Sequence, residues 1–341
     1  YTHIAYIEIF EKVYSLVTND DNDKKLDILI ILTEAYLESN KLIESAKKIE
    51  LAEKIITTSN TNKVSAAKIH ILRLIQEILL KSESEKIVKL LVLAEKAADE
   101  ANDTYTQLFF DRARLLFLRY KKKYTEAIDE AKKAILKCGN FKEFKLLKTK
   151  LLLDLGNNLF FSKQYKDAEK SYFETIKSAK EIGDTNIQDI AFNNLAIIYE
   201  QIYRNFDAAI MYDRKIIENS SISGNVSSHI LALVNLGITY SHFYDYETAY
   251  NICNQTIKKI IQTSHKDMLF FAEAFMHNIL LSMCMYDKTV ESDIKIEKLL
   301  KDKSIPKKTV HIHIFNQIKA IFYYTMGNFE AARELQDRNK N

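Results

Sequence analysis

Three segments of the chain repeat one pattern, first at a spacing of 40 residues and then at 41. Each segment contains a Leu followed by Gly or Ala, at Leu155-Gly156, Leu195-Ala196 and Leu236-Gly237. An alanine follows each pair after a short linker, at Ala168, Ala208 and Ala249. An aromatic residue lies two or three positions before each alanine, at Tyr165, Phe206 and Tyr246. Four positions after it lies Tyr172, Tyr212 or Cys253. Such a register constrains the fold strongly, because one structural unit must recur along the chain.

The spacing of Leu-Gly, Ala and aromatic residue resembles the tetratricopeptide repeat. That repeat is a helix-turn-helix unit that must stack on its neighbours to bury its apolar face. With six Gly and one Pro in 341 residues, the chain also lacks the turn residues that sheets and long loops need. We therefore predict an all-α fold, a right-handed superhelical solenoid of about eight tetratricopeptide-type helix pairs plus an N-terminal helix.

Hydrophobic periodicity predicts where these helices lie. A single helix is expected at about 2–17, and eight pairs follow. The pairs are expected at about 24–38 with 42–57, 61–80 with 84–100, 104–121 with 125–138, 142–162 with 165–182, 186–203 with 206–219, 226–243 with 246–261, 266–286 with 289–301, and 307–326 with 329–338. Residues 1–23 then form an N-terminal helix and linker, a possible connector from a missing upstream domain, and 24–341 form the solenoid.

Composition and motifs exclude several function classes. Three unpaired cysteines, no apolar run of about 18 residues and no signal pattern predict a cytoplasmic protein without a membrane partner. A formal net charge of +3 is too small to predict nucleic-acid binding by this chain alone. Because phosphate-binding loops and nucleophile motifs are also missing, we predict no enzymatic activity and no cofactor.

Metal binding is not expected either. His311 and His313 are two residues apart on a predicted helix, so they project to different sides. His265 and His277 lack a carboxylate that would complete a ligand set. The acidic segment around Asp20 lacks the Gly and the closing Glu of a calcium loop and is expected to be a solvated linker.

A row of amide side chains is the main candidate site. In repeats of this type the first helix of each pair lines an inner groove, and equivalent positions there hold Asp154, Asn194 and Asn235, with Asn278 close to the next. Asn193 and Asn157 occupy neighbouring groove positions. An Asn amide can accept from a peptide N–H and donate to a peptide C=O, so a row of them can hold an extended backbone. The alternative is that these side chains face water in a wide groove.

Other groove positions could select ligand side chains. Arg112 and Arg119 would lie on the third pair, where they could bind a carboxylate. Gln201 and His242, with Glu200 and Ser241, would line the middle of the groove. The predicted peptide-binding residues are Asn157, Asn193, Asn194, Asn235, Asn278, Asp154, Arg112, Arg119, Gln201 and His242.

Long repeats, about eight pairs and an inner Asn row resemble the peptide-sensing regulators of Gram-positive bacteria (the Rap, NprR, PlcR and PrgX type). The resemblance implies a cytoplasmic quorum-sensing receptor, of the transcription-regulating type, whose groove binds a short linear signalling peptide and which changes conformation. It also implies a possible homodimer, and DNA binding only through a missing N-terminal helix-turn-helix domain. Two alternatives stay open: a constitutive scaffold for protein–protein interaction, and the sensor module of a larger ATPase-type regulator.

Overall fold

The computed structural model describes residues 3–17, 21–39, 41–59, 61–263, 266–302 and 309–338, without the side chains of residues 3–5, 266–267, 309–313 and 338. Within these residues the chain forms seventeen α-helices and no strand. The helices are α1 His3–Leu16, α2 Asn22–Glu38, α3 Leu42–Thr58, α4 Lys63–Leu79, α5 Ser84–Ala101, α6 Thr104–Tyr120, α7 Tyr124–Cys138, α8 Lys145–Phe161, α9 Tyr165–Ile182, α10 Thr185–Ile197, α11 Phe206–Ser223, α12 Val226–His242, α13 Tyr246–Gln262, α14 Lys266–Ser282, α15 Tyr286–Lys301, α16 Thr309–Thr325 and α17 Phe329–Arg338.

The all-α, tetratricopeptide-type fold predicted from the sequence is confirmed. Each predicted helix is present, and its ends agree with the prediction to within about one helical turn. Short polar residues begin many of the helices: the Asp103 carboxylate accepts from the Thr106 N–H at 2.8 Å, and Asp245 accepts from the Thr248 N–H at 3.1 Å. No helix in the described part of the chain is both long and apolar enough to cross a membrane.

The chain consists of two compact units, residues 1–191 and 192–341, and the boundary falls within α10. In both units neighbouring helices pack against each other, as α8 and α9 do in unit 1 and α12 and α13 in unit 2, and first helices of neighbouring pairs also touch, as α4 and α6 do in unit 1 and α12 and α14 in unit 2. This is the packing by which a repeat buries an apolar face that it cannot cover alone.

Gly156 shows why the repeat requires a small residue in its first helix. A Cβ built there would lie 2.6 Å from Cε1 of Tyr172, whose side chain is 1% exposed. At Gly237 a Cβ would lie 3.0 Å from Cε1 of Phe275. The Leu-Gly pattern of the sequence therefore marks points where a ring from another helix packs directly on the backbone.

The first helix of the fifth pair contains one extra residue. After α10 the chain continues as a π-helical turn over Ile198–Ile202. The hydrogen bond that closes this turn runs from Asn205 N–H to Tyr199 C=O, at 2.8 Å. Its equivalent in the preceding pair, from Gln164 N–H to Leu159 C=O, spans one residue fewer. The second helix of the fifth pair is therefore shifted by one residue relative to the other pairs.

This shift corrects one part of the sequence alignment. The buried alanine of the fifth pair is Ala209, which is fully buried, and not Ala208, which is half-buried. The residue four positions later is then Asp213 and not Tyr212. Asp213 thus occupies the position held by Tyr172 in the fourth pair, and its side chain is fully buried.

Candidate functional site

Two asparagines of the predicted row are in direct contact in unit 2. Asn235, on α12, donates its Nδ2–H to Oδ1 of Asn193, on α10, at 2.6 Å. Both side chains are half-buried. The sequence register places Asn194 opposite Asn235, but the hydrogen bond is made by its neighbour Asn193. Each amide uses one of its polar groups in this bond and keeps a second one that can pair with another molecule.

The other two asparagines of the row lie on first helices of the same unit. Asn194 follows Asn193 on α10 and is half-buried, and Asn278 is half-buried on α14. The first helices α10, α12 and α14 thus each carry at least one half-buried asparagine. We call the set Asn193, Asn194, Asn235 and Asn278 the amide row.

A carboxylate–imidazole pair lies further along the same two first helices. The π-helical turn places Glu200, which is 6% exposed, 2.8 Å from Nδ1 of His242 at the end of α12. This hydrogen bond, together with the charge of Glu200, raises the pKa of His242 above its ordinary value, although burial opposes the shift. Gln201, the next residue of the turn, is exposed. Single π-turns often occur at functional positions, because they redirect a side chain without ending the helix.

Asp213 adds a second buried carboxyl group to this region. Burial raises its pKa to about 8, and the nearby charge of Glu200 contributes, while the Thr239 hydroxyl opposes the shift. The group is therefore largely protonated at neutral pH. Sequence reasoning missed it, because the π-turn that moves Asp213 inward leaves no composition signal.

In unit 1 the predicted arginines contact a carboxylate of the chain itself. Arg112 Nε, on α6, donates to Oδ2 of Asp154, on α8, at 2.8 Å, and Arg119 lies 3.6 Å from Oδ1 of the same residue. Burial by itself would lower the pKa of Arg112, but the charge and hydrogen bond of Asp154, together with the charges of Glu38 and Glu34, raise it. Three residues predicted to bind peptide thus form one ion-paired group.

A second ion pair extends this group to α2. Lys150, one turn before Asp154, lies 2.6 Å from Glu38 and 3.7 Å from Glu34. Burial opposes the charge on Lys150, but the two carboxylates raise its pKa. No sequence pattern indicates this contact, since more than 110 residues separate the partners. Three basic and three acidic side chains therefore meet on the first helices of unit 1: Glu34, Glu38, Arg112, Arg119, Lys150 and Asp154.

Asn157, the remaining predicted residue, is half-buried on α8, where its Oδ1 accepts a hydrogen bond from the Tyr172 hydroxyl at 3.0 Å. This contact orients the ring that packs on Gly156.

Within the described residues, no group of three or more His, Cys, Asp or Glu side chains could hold a metal ion. His277 is fully buried, and burial lowers its pKa to about 4, with a further contribution from Lys319. Asp20, His265 and the side chains of His311 and His313 lie outside the described residues.

Solved structures share this fold at low sequence identity. The apo form of RapI matches with a TM-score of 0.63 and 12% identity, over 92% of this chain and 96% of RapI. A Rap protein complexed with Competence and Sporulation Factor matches with a TM-score of 0.60 and 13% identity, over 94% of this chain and 98% of that protein.

A signal transduction ATPase with numerous domains from Pyrococcus horikoshii, which has a tetratricopeptide repeat sensor, matches with a TM-score of 0.60 and 17% identity. The match covers 81% of this chain and 42% of that protein. No protein-family model and no curated protein matches the sequence. The resemblance expected from the sequence is therefore confirmed as a likeness of fold.

Proposed function

We propose that this protein is a receptor for a short linear peptide, which binds along the amide row of unit 2. The observation that carries the proposal is the Asn193–Asn235 contact, in which two first helices present amides 2.6 Å apart at a half-buried surface. Such amides bind peptide backbone irrespective of its sequence, because each can donate and accept at once. The structural likeness to a Rap protein complexed with Competence and Sporulation Factor supports the same kind of ligand.

We assign these residues two different roles in binding the peptide. Asn193, Asn194, Asn235 and Asn278 contact the backbone of the peptide, while Glu200 with His242, and the exposed Gln201, contact its side chains. The ion-paired group of unit 1 has its charges satisfied internally, so we assign Arg112, Arg119 and Asp154 to support of the helices and not to ligand binding. No catalytic step is part of this proposal.

Peptide binding then stabilises the conformation in which several first helices contact the peptide at the same time. Any conformational response is limited by the difference in affinity of the peptide for the two conformations. Control of transcription by a cytoplasmic receptor is the output that the sequence resemblance implies, and it would require a DNA-binding partner or domain.

The test uses thermal melting and small-angle scattering, with and without short-peptide fractions from the culture medium of the host. A peptide at about 100 times its dissociation constant stabilises the folded state by about 2.7 kcal/mol, which gives a clear rise in melting temperature. The double variant Asn193→Ala, Asn235→Ala should lose most of this rise, since each amide contributes about 1 kcal/mol, or roughly a factor of five to ten in affinity.

The matched control replaces exposed amides of a second helix in the same unit, Asn251→Ala with Gln255→Ala on α13. It should respond to peptide as the unmodified protein does. Failure of every fraction to change either the melting temperature or the scattering would refute the receptor proposal and favour a constitutive scaffold.

One observation keeps a second candidate function open. The match to the Pyrococcus ATPase covers 81% of this chain but less than half of that protein, which has a tetratricopeptide repeat sensor. A sensor module of this kind would respond to a protein or small molecule. A thermal shift with protein fractions of the host lysate and none with peptide fractions would support it.

A further inference from the structure

Three consecutive turns of unit 1 are closed by a lysine in the left-handed backbone conformation. Lys81, Lys122 and Lys163 have φ angles of 54°, 57° and 64°, and they are 41 residues apart in the sequence. Each lies between the two helices of a pair. The hydrogen bonds of this turn run backwards from the lysine and from the residue after it, as in Lys122 N–H to Arg119 C=O and Lys123 N–H to Leu118 C=O, both 2.9 Å.

The fold does not require lysine at this position. Left-handed conformations favour glycine, because a Cβ crowds the neighbouring carbonyl oxygen, and glycine is the usual residue of this helix-ending turn. The last helix pair has such a glycine. There Gly327, with φ of 76°, donates to Tyr324 C=O at 3.1 Å, and Asn328 donates to Tyr323 C=O at 2.8 Å. The next three pairs hold Arg204, Tyr244 and Cys284 at this position, with φ angles of 54°, 65° and 58°, so the turn accepts several side chains and the run of three lysines is a feature of unit 1.

The three turns lie side by side. The Tyr120 hydroxyl donates to the Ser82 carbonyl at 3.2 Å, which joins the α6–α7 turn to the α4–α5 turn. Tyr124 and Phe161 stack with ring centroids 5.7 Å apart, which joins the α6–α7 turn to the α8–α9 turn. The lysines therefore form one continuous edge. We call Lys81, Lys122 and Lys163, with their apolar neighbours Leu80 and Phe161, the lysine ridge.

The ridge is basic and exposed. All three of its lysines are exposed, and none of them has an ion pair or side-chain hydrogen bond within the described residues. Lys123 lies next to the ridge and is neutralised by Glu126 at 2.9 Å. Three lysines on the helix faces of α5 and α9 are instead paired with acidic residues of their own helices, Lys89 with Glu85, Lys96 with Glu100 and Lys170 with Asp167.

Exposed apolar residues lie close to two of these lysines in the sequence. Leu80 is 47% exposed and Phe161 is 52% exposed. Protein interfaces combine apolar contact with complementary charge at the rim, and the charges guide the encounter between partners. A nucleic acid is the other occupant to test, because the exposed Phe161 ring offers a base one stacking surface.

We propose that the lysine ridge is a docking surface for an acidic segment of a partner protein that also carries apolar side chains. This surface lies on the turns of unit 1, whereas the proposed peptide site lies on first helices of unit 2. The two functions can therefore be tested separately.

The test removes the three charges by the triple substitution Lys81→Gly, Lys122→Gly, Lys163→Gly. Glycine suits the left-handed turns, so the melting temperature should stay unchanged or rise. The probe is a labelled synthetic peptide in which Asp and Glu alternate with Leu and Phe, and its dissociation constant is measured by fluorescence anisotropy. We expect about tenfold weaker binding, since three exposed charge contacts are lost, and a smaller salt dependence.

A matched control removes the same net charge elsewhere, by Lys89→Gln, Lys96→Gln and Lys170→Gln on outer helix faces. Its affinity for the probe should stay within about twofold of the unmodified protein, because the charges it removes are paired and lie away from the ridge. Equal weakening in both variants would overturn the proposal, because it would show a general effect of net charge. Absence of probe binding to the unmodified protein would overturn it as well.

Two further measurements complete the test. If the glycine variant melts early, the same three positions are changed to asparagine, which also tolerates the left-handed conformation. Single-stranded DNA with the same number of charges is titrated in parallel. Tighter binding of the DNA than of the acidic peptide would overturn the protein partner in favour of a nucleic acid.

Discussion

The first helices of the two units carry different polar side chains. In unit 1 opposite charges pair across helices, as in Arg112 with Asp154 and Lys150 with Glu38. In unit 2 the neutral amides of Asn193 and Asn235 are in contact, and the charged pair of Glu200 and His242 is half-exposed on its imidazole side. A largely buried ion pair is disrupted by the loss of either partner, because the remaining charge has no compensation. Amides exchange partners at low cost, so we propose structural support for the charged group of unit 1 and ligand binding for the amides of unit 2.

The largest effect that this comparison predicts comes from Asp154→Ala in unit 1. The substitution leaves the largely buried Arg112 guanidinium without its carboxylate, and Arg119 also loses a contact. Breaking a buried pair in this way costs about 3–5 kcal/mol. Urea unfolding followed by circular dichroism should show this loss.

Lys170→Ala is the control for Asp154→Ala. Lys170 pairs with Asp167 at 3.1 Å on the exposed face of α9. Exposed pairs contribute roughly 0–1 kcal/mol, so this variant should unfold almost as the unmodified protein does. If both variants lost similar stability, the ion-paired group of unit 1 would have no special structural role.

The next largest effect on stability is expected from Asp213→Asn, which removes a buried carboxyl group of unit 2. Because the pKa of Asp213 is raised to about 8 in the folded state, its contribution to stability is fully present below pH 3.8 and is lost as pH rises towards 8. The loss amounts to at most roughly 1.4 kcal/mol per pH unit. The asparagine side chain cannot ionise, so the variant should become progressively more stable than the unmodified protein as pH rises towards 8.

The control for this pH dependence is the same comparison at pH 4, where Asp213 is protonated in the folded state. Stabilities of the two proteins should then differ little. Urea midpoints measured from about pH 4 to pH 9 provide the check. A constant difference over that range would mean that Asp213 does not titrate as its burial implies.

A smaller difference is expected between the two repeat glycines. Gly156→Ala in unit 1 places a Cβ 2.6 Å from the fully buried Tyr172 ring, and such overpacking costs about 1–3 kcal/mol. At Gly237→Ala in unit 2 the nearest atom, 3.0 Å away, belongs to the half-buried Phe275. That ring can shift, and alanine favours the helix by up to about 1 kcal/mol.

Differential scanning calorimetry should therefore show a clear fall in melting temperature for Gly156→Ala and almost none for Gly237→Ala. Equal falls in melting temperature would indicate that the side chains around both glycines are packed equally tightly. The contrast between the units would then not extend to their helix packing.

Much of the fold was predictable because its determinants are local. Apolar periodicity and turn residues fix each helix within a few residues of its sequence position, and all the predicted helices are present. The exception is the fifth pair, where Ala208 and Ala209 are adjacent and the sequence offers no means of choosing between them. The choice depends on the π-helical turn, which forms through hydrogen bonds and not through composition.

The site was less predictable, because side-chain partners depend on packing between distant segments. Sequence register placed amides and arginines on the first helices correctly. It could not show that Arg112 faces Asp154, 42 residues away, or that Asn193 contacts Asn235 in place of Asn194. A rotation of a helix by one residue changes such contacts and leaves the periodic pattern unaltered.

The smallest effect on stability is expected from His242→Gln, which removes the Glu200–His242 pair of unit 2. The pKa of His242 is raised by its hydrogen bond to Glu200, so its contribution to stability is present below pH 6.5 and is lost as pH rises through the folded-state value. Half of the imidazole is exposed, so solvent screens the pair and the loss at about pH 6 should stay below about 1 kcal/mol. At about pH 9 the variant should match the unmodified protein in urea unfolding. A loss as large as that of Asp154→Ala would show that unit 2 also depends on charge pairing, and the contrast between the units would then fail.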